Sequence, residues 1–252
     1  MVPRIAIPVP NSKDSKYVLR ALPQYEYAVR EAGGEPVIID VTAPSAVIAQ
    51  KAKTCDGVLL PGSPADVDPE KYGAAKHEKT AGADVLRDNA DELLLQDAYN
   101  MRKPVFGICY GLQSVNVWRG GTLVQHLATP VNHDLTGKTI RAHPIELAPG
   151  SKLAHMLQMT ANELTVNSSH HQSADKLGDG LRLAAVCPED KVVEALEGTA
   201  DDHFVLCVQW HPERTCDSDA ASRALFNAFV RAAGEWHKNL AAKQKDFESV
   251  GD

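Results

Sequence analysis

In this sequence Cys109 is the side chain best placed to do chemistry, because of its neighbours. It stands in Gly107-Ile108-Cys109-Tyr110-Gly111, after the apolar run Pro104–Ile108 and before a helical pattern, Leu112–Trp118. G-x-C-x-G at a strand-to-helix turn is the thiol counterpart of the G-x-S-x-G nucleophile elbow. Such a turn strains the central backbone, and the residues two before and two after must be small, hence Gly107 and Gly111. At a helix N-terminus the dipole and free N–H groups favour thiolate over thiol. The competing reading is a core cysteine that ends a strand. A cysteine nucleophile needs a base, and the base an orienting acceptor. Among ten histidines, His211 stands apart. It follows the apolar strand Phe204–Gln209 in Gln209-Trp210-His211-Pro212-Glu213, and Glu213 is close enough to accept from its imidazole.

These residues need a scaffold that brings 109 and 211 to one edge. Short β-branched runs alternate with longer helical patterns. Strands are expected at Arg4–Val9, Pro36–Val41, Gly57–Leu60 and Pro104–Ile108. Helices are expected at Lys16–Ala32, Pro44–Lys53 and Asp84–Arg102. Pro23 belongs near the first turn of its helix or kinks it, and Gly33-Gly34 ends that helix. Leu86, Leu93, Leu94 and Ala98 are spaced for one buried face. Repeated β-α-β implies an α/β fold with a mostly parallel central sheet and helices on both faces. If the strands are parallel, Cys109 and His211 share the carboxyl edge, where ligands bind in open α/β sheets. The loop Pro61–Gly73, PGSPADVDPEKYG, leaves a strand on that edge and offers backbone N–H groups. The second half is less regular, with short strands around Ile140–Leu147, Glu163–Asn167 and Leu181–Ala185, then neighbouring strands Val192–Leu196 and Phe204–Gln209. A smaller antiparallel β element is expected there. Asp217–Trp236 reads as the last helix, capped by Asp217 or Ser218, with a frayed polar tail from His237. Residues 1–252 read as one domain, without repeat or linker.

Composition narrows the function classes. Hydrophobic residues are 44% and charged residues 23%, which argues against wholesale disorder. The net charge is −7 with no long basic run, so no nucleic-acid footprint exists. No apolar stretch is long enough to span a bilayer, and the first residues lack a secretory pattern. Five cysteines without a CxxC pair argue against a disulfide scaffold and a cysteine zinc site, and fit a reduced, cytoplasmic compartment. Histidines 126, 133, 143 and 155 have no tight ligand spacing, so neither a metal nor an organic cofactor is expected.

Over nearly its whole length the chain resembles class I glutamine amidotransferases of the Cys-His-Glu group. It is most similar to the γ-glutamyl-γ-aminobutyrate hydrolase branch, the peptidase C26 type. The matching segments are Pro61–Pro64, Asp68-Pro69, Tyr72-Gly73, Gly107–Gln113, Gly120-Gly121, Asn167–Gln172 and Gln209–Glu213. The resemblance implies a flavodoxin-like three-layer sandwich. It implies Cys109 as nucleophile, His211 as general base and acid, and Glu213 as the group orienting His211. Backbone N–H groups of Tyr110 and the Gly62–Ser63 turn would form the oxyanion hole. Gln113 would help hold the glutamyl group, and His170, in N-S-x-H-x-Q, would line the substrate pocket. Tyr110 stands where the branch often has arginine, and His171 where a smaller residue is often seen.

The implied reaction is hydrolysis of a small γ-glutamyl amide, such as γ-glutamyl-GABA, through a cysteine thioester. The alternative is a glutaminase subunit supplying ammonia to a separate synthase, its motive Cys109-Tyr110-Gly111-Leu112-Gln113 and the absence of a fused synthase. A third reading, a non-catalytic binding module, is opposed by the intact triad. The expected partner is a small-molecule γ-glutamyl substrate, with no nucleic acid and no membrane. A homodimer stays open, and a synthase partner belongs only to the alternative. Leaving-group specificity falls to the loops Asp66–Glu78 and Val131–Ala142.

Overall fold

Alternation along the strands builds two apolar layers, one on each face of a central sheet. The computed structural model describes residues 1–135, 141–157 and 163–249. In chain order it runs β1 (Arg4–Pro8), α1 (Ser15–Glu31), β2 (Glu35–Ile39), α2 (Ser45–Lys53), β3 (Gly57–Leu60), α3 (Val85–Met101), β4 (Val105–Ile108) and α4 (Tyr110–Trp118). Then come β5 (Leu123–Val124), β6 (His143–Leu147), α5 (Lys152–Leu157), β7 (Glu163–Val166), β8 (Ser173–Ala174), β9 (Leu181–Val186), β10 (Val193–Gly198), β11 (Val205–Val208) and α6 (Ala220–Ser249). Of the expected strand Ile140–Leu147, Ile140 lies outside the described residues.

One sheet has the order β2-β1-β3-β4-β11-β10-β9-β6-β7. From β2 to β11 the strands pair in parallel; beyond β11 they pair antiparallel. A separate antiparallel ribbon joins β5 to β8. Successive strand side chains face opposite ways. Ile5, Ile7, Leu59, Phe106, Ile108, Leu206 and Val208 therefore meet α1, α5 and α6 on one face. Ala6, Val58, Leu60, Val105, Val205 and Cys207 meet α2, α3 and α4 on the other. This is the expected α/β sandwich, with its antiparallel element as an extension of the same sheet and a small ribbon. No helix of the described residues is long and apolar enough to cross a membrane.

Four expectations need correction. Pro23 sits in the middle of α1, not in its first turn. In α3, Leu86 is exposed and the next residue, Arg87, is fully buried. Arg87 is buried because it is paired: Nε donates to Asp91 at 2.7 Å, and its other nitrogens donate to the Pro10 and Pro61 carbonyls at 2.8 and 2.7 Å. The last helix starts at Ala220, where Asp219, not Asp217 or Ser218, accepts from the Ser222 amide at 2.7 Å. It continues to Ser249 without a frayed break at His237, because Lys238–Phe247 holds three Lys and two Ala and no Gly or Pro.

Candidate active site

Cys109 occupies the turn between β4 and α4 with φ 53° and ψ −105°, one of three non-glycine residues with positive φ among those described. The strained elbow that the sequence predicts is therefore present. The flanking glycines are required by contact. A Cβ on Gly107 would lie 2.8 Å from the Gly111 carbonyl, and one on Gly111 would strike the Leu60 backbone. The Cys109 amide donates to the Val208 carbonyl at 2.8 Å, tying the elbow to β11. The other four cysteines are also buried and free, and Cys207 lies inside β11 as core.

The parallel register Val208↔Ile108 brings the ends of β11 and β4 side by side. His211 and Cys109 consequently emerge at one edge. The His211 Nδ1 lies 2.8 Å from Glu213 Oε1, with both side chains buried. That bond fixes the tautomer whose Nε2 carries the lone pair. Asn167, at the end of β7, clamps the His211 backbone: its amide nitrogen donates to the His211 carbonyl, and its oxygen accepts from the His211 N–H, both at 2.8 Å. In the sequence Asn167 belongs to a matching motif, but nothing there assigns it this role.

The loop after β3 closes the third side. A Cβ on Gly62 would sit 2.9 Å from the His211 ring and 3.5 Å from the Cys109 Cβ, so only glycine lets the three meet. Gly62, expected to supply an oxyanion donor, already has a partner. Its N–H donates to the buried Tyr25 hydroxyl at 3.0 Å and is thereby engaged. Ser63 faces the cavity beside Cys109. Tyr25 and the loop anchor Arg87 were invisible to sequence motifs, since each reaches this loop from a distant helix.

Cys109, His211, Ser63, Gln113 and His170 all line one cavity of about 390 Å³. Gln113 Nε2 donates to the Gln172 carbonyl and Gln209 Oε1, each at 3.3 Å. His171 meets Asp66 at 3.2 Å, and that hydrogen bond raises its imidazole above the ordinary range. Arg20 and Arg214 bring positive charge to the wall, and Asp14, Asp66 and Asp134 bring negative charge. Burial pushes the Cys109 thiol up to about 12, against the pull of Arg214 and the Tyr110 amide. Burial also lowers His211, more than Glu213 raises it. Glu213 lies below the usual glutamate range: burial alone would raise it, but His211 and Arg214 outweigh that. Burial thus works against the expected thiolate preference at the helix N-terminus and favours a neutral thiol beside a neutral imidazole.

Two overlapping groups of described residues could hold a metal ion: His133, His143, His170 and Glu194, and His133, Cys187 and Asp190. Of the four histidines considered from sequence, 133 and 143 enter these groups, and no short spacing announces it.

A family model described as Peptidase C26 matches residues 9–213. The gamma-glutamyl-gamma-aminobutyrate hydrolase PuuD of Escherichia coli is 33% identical over 233 residues, 88% of each chain. Protein NtpR of Enterococcus hirae is 33% identical over 210 residues, covering 81% of this chain and 85% of its own. A crystal structure of a protein assigned to GMP synthase, from Thermoplasma acidophilum, superposes with a TM-score of 0.64 over 96% of this chain and 98% of that one. At 15% identity the likeness is one of fold.

Proposed function

We propose, from the premise that the chain belongs to the Peptidase C26 family, that this cysteine-dependent hydrolase cleaves the γ-glutamyl amide bond of a small γ-glutamyl compound such as γ-glutamyl-GABA. The observation that carries the reading is Cys109 at a positive-φ elbow, sharing a cavity with His211, whose far nitrogen is held at 2.8 Å by Glu213. The cavity wall carries both signs of charge, Arg20 and Arg214 against Asp14, Asp66 and Asp134, which suits the zwitterionic glutamyl head.

In this reading His211 Nε2 takes the Cys109 thiol proton as the sulfur attacks the γ-carbonyl carbon. The carbonyl electron pair moves to oxygen, which the Tyr110 and Ser63 amides receive; each such donor contributes ~3 kcal/mol to the transition state. The C–N bond then breaks, the amine leaves with the proton from His211, and a glutamyl thioester remains. Water, deprotonated by the same imidazole, attacks the thioester and releases glutamate and thiol. Five buried free cysteines suit a reducing, cytoplasmic setting.

The test is to incubate pure protein with γ-glutamyl-GABA, other γ-glutamyl amides and glutamine. Glutamate release from a γ-glutamyl amide without any partner is expected, and Cys109→Ser should lower it by roughly a thousandfold or more. No release from any substrate alone would sink the reading. Release from glutamine only when a synthase is added would favour the ammonia-supplying alternative.

A further inference from the structure

Beside the cavity, outside the cysteine chemistry, four buried side chains turn their polar atoms toward one point. They come from four segments: His133 from the stretch after β5, His143 from the start of β6, His170 from the loop between β7 and β8, and Glu194 from β10. None is more than 5% exposed. Glu194 Oε1 lies 3.3 Å from His133 Nδ1, 3.6 Å from His143 Nε2 and 3.6 Å from His170 Nε2. Those three nitrogens and both Glu194 oxygens are buried with no hydrogen-bond partner of acceptable geometry. Buried polar groups are almost always satisfied, so five together demand an explanation.

The outward nitrogens supply it. His133 Nε2 meets Asp190 Oδ2 at 2.8 Å, His143 Nδ1 the Pro144 carbonyl at 3.1 Å, and His170 Nδ1 the Gln172 carbonyl at 2.9 Å. Carbonyls and carboxylates only accept, so each outward nitrogen carries the hydrogen. In neutral imidazole the inward nitrogen then carries a lone pair. With all three imidazoles neutral, three lone pairs and a carboxylate point at one another. Histidine whose far nitrogen donates to a carboxylate or backbone carbonyl is the arrangement that metal ligands adopt.

We propose that His133 Nδ1, His143 Nε2, His170 Nε2 and the Glu194 carboxylate form a structural site for a first-row divalent cation of the zinc type. Imidazole with one carboxylate suits such an ion, and four protein ligands fill a tetrahedral shell. Ligand atoms about 2.0–2.2 Å from zinc at tetrahedral corners lie roughly 3.3–3.6 Å apart. The three distances from Glu194 fall in that interval. Two positive charges would face two carboxylates, Glu194 inside and Asp190 behind His133. The second group, with Cys187, is the outer layer of the same site, because Asp190 already accepts from Thr129 and the Val192 amide. A single added proton on His133 could satisfy Glu194, but it would leave the inward nitrogens of His143 and His170 unpartnered. A metal satisfies all three. The ion would fasten the His170 loop, which forms one wall of the cavity, to β6 and β10.

The test measures zinc by elemental analysis after the chelator-treated wild-type protein is exposed to zinc chloride and desalted. About one zinc per chain is expected, and X-ray absorption should give a shell of nitrogen and oxygen with imidazole scattering and no sulfur. His143→Gln and Glu194→Gln should each weaken zinc binding by roughly tenfold or more, while Cys109→Ser should retain it. Less than about 0.1 zinc per wild-type chain overturns the proposal, as does sulfur in the shell. Undiminished binding in both His143→Gln and Glu194→Gln overturns it too. Absorption uses the wild-type chain, so it decides even where those variants fail to fold.

Discussion

At Cys109 two electrostatic effects oppose each other, and their sizes decide the resting state. A helix N-terminus stabilises an anion by about 1 kcal/mol, at most ~2, which is about 0.7 to 1.5 pKa units. Full burial can move a group by roughly three to five units the other way. The thiol accordingly lies near 12 and His211 below its ordinary value. In the proposed reaction the neutral pair becomes an ion pair only as the sulfur attacks. Alkylation of Cys109 by iodoacetamide follows the thiolate fraction, so its rate should be slow at pH 7 and climb steadily through pH ~9 without a plateau. A thiolate–imidazolium pair at rest would instead give fast alkylation that levels off below pH ~6.5. Mass spectrometry of the Cys109 peptide across pH separates the two, and an early plateau would overturn the neutral-pair assignment. His211, being lowered, stays a free base to lower pH than an ordinary histidine, so the acid limb of turnover should fall below that range.

The elements hold this pair through close approach rather than through many bonds. α4 can start directly under β3 only because Gly111 has no side chain; a Cβ there would meet the Leu60 Cβ at 2.8 Å and its backbone closer still. Gly111→Ala should therefore cost about 1–3 kcal/mol or more, as overpacking does. Gly82→Ala, where nothing lies within 4 Å, should stay within about 0.5 kcal/mol. Thermal midpoints of both variants check this, and an unchanged midpoint in Gly111→Ala would remove the steric account of the elbow. The elbow and the His211-Pro212-Glu213 turn were legible in the sequence because each is local, a few residues with fixed spacing after an apolar strand. The parallel strands were legible for the same reason, since β1, β3, β4 and β11 are short apolar runs. Arg87, Tyr25 and Asn167 were not. Arg87 is buried only because Pro10 and Pro61 carbonyls meet it from far along the chain, and a helical pattern of leucines gives no sign of that. The His133–His143–His170–Glu194 cluster was hidden likewise, because its members stand on separate strands and loops.

Across the whole molecule, the two halves of the sheet meet at His211. Its strand, β11, is the last parallel strand, while Asn167 leaves β7 at the far antiparallel edge. The clamp of two 2.8 Å hydrogen bonds between Asn167 and the His211 backbone therefore joins the less regular half to the proposed acid–base group. Asn167 does not act on substrate in this account; it is a positioning residue for the turn that aims the imidazole. Asn167→Ala leaves a buried N–H and a buried carbonyl unpaired, a loss of about 1–3 kcal/mol. With the turn released, misplacement of the base by about 1 Å can lower turnover by roughly a hundredfold. Substrate affinity should change little, because Arg20, Arg214 and Gln113 remain in place along the cavity wall. Asn167→Asp should recover only part of the loss, since its carboxylate accepts from the His211 N–H but faces the His211 carbonyl without a donor. The measurement is kcat and KM for both variants well below their thermal midpoints, with circular dichroism to establish folding. A fall in kcat with nearly constant KM in folded protein is the expected result. Wild-type kcat in folded Asn167→Ala would reduce the clamp to a stability contact and detach the antiparallel half from the chemistry of His211.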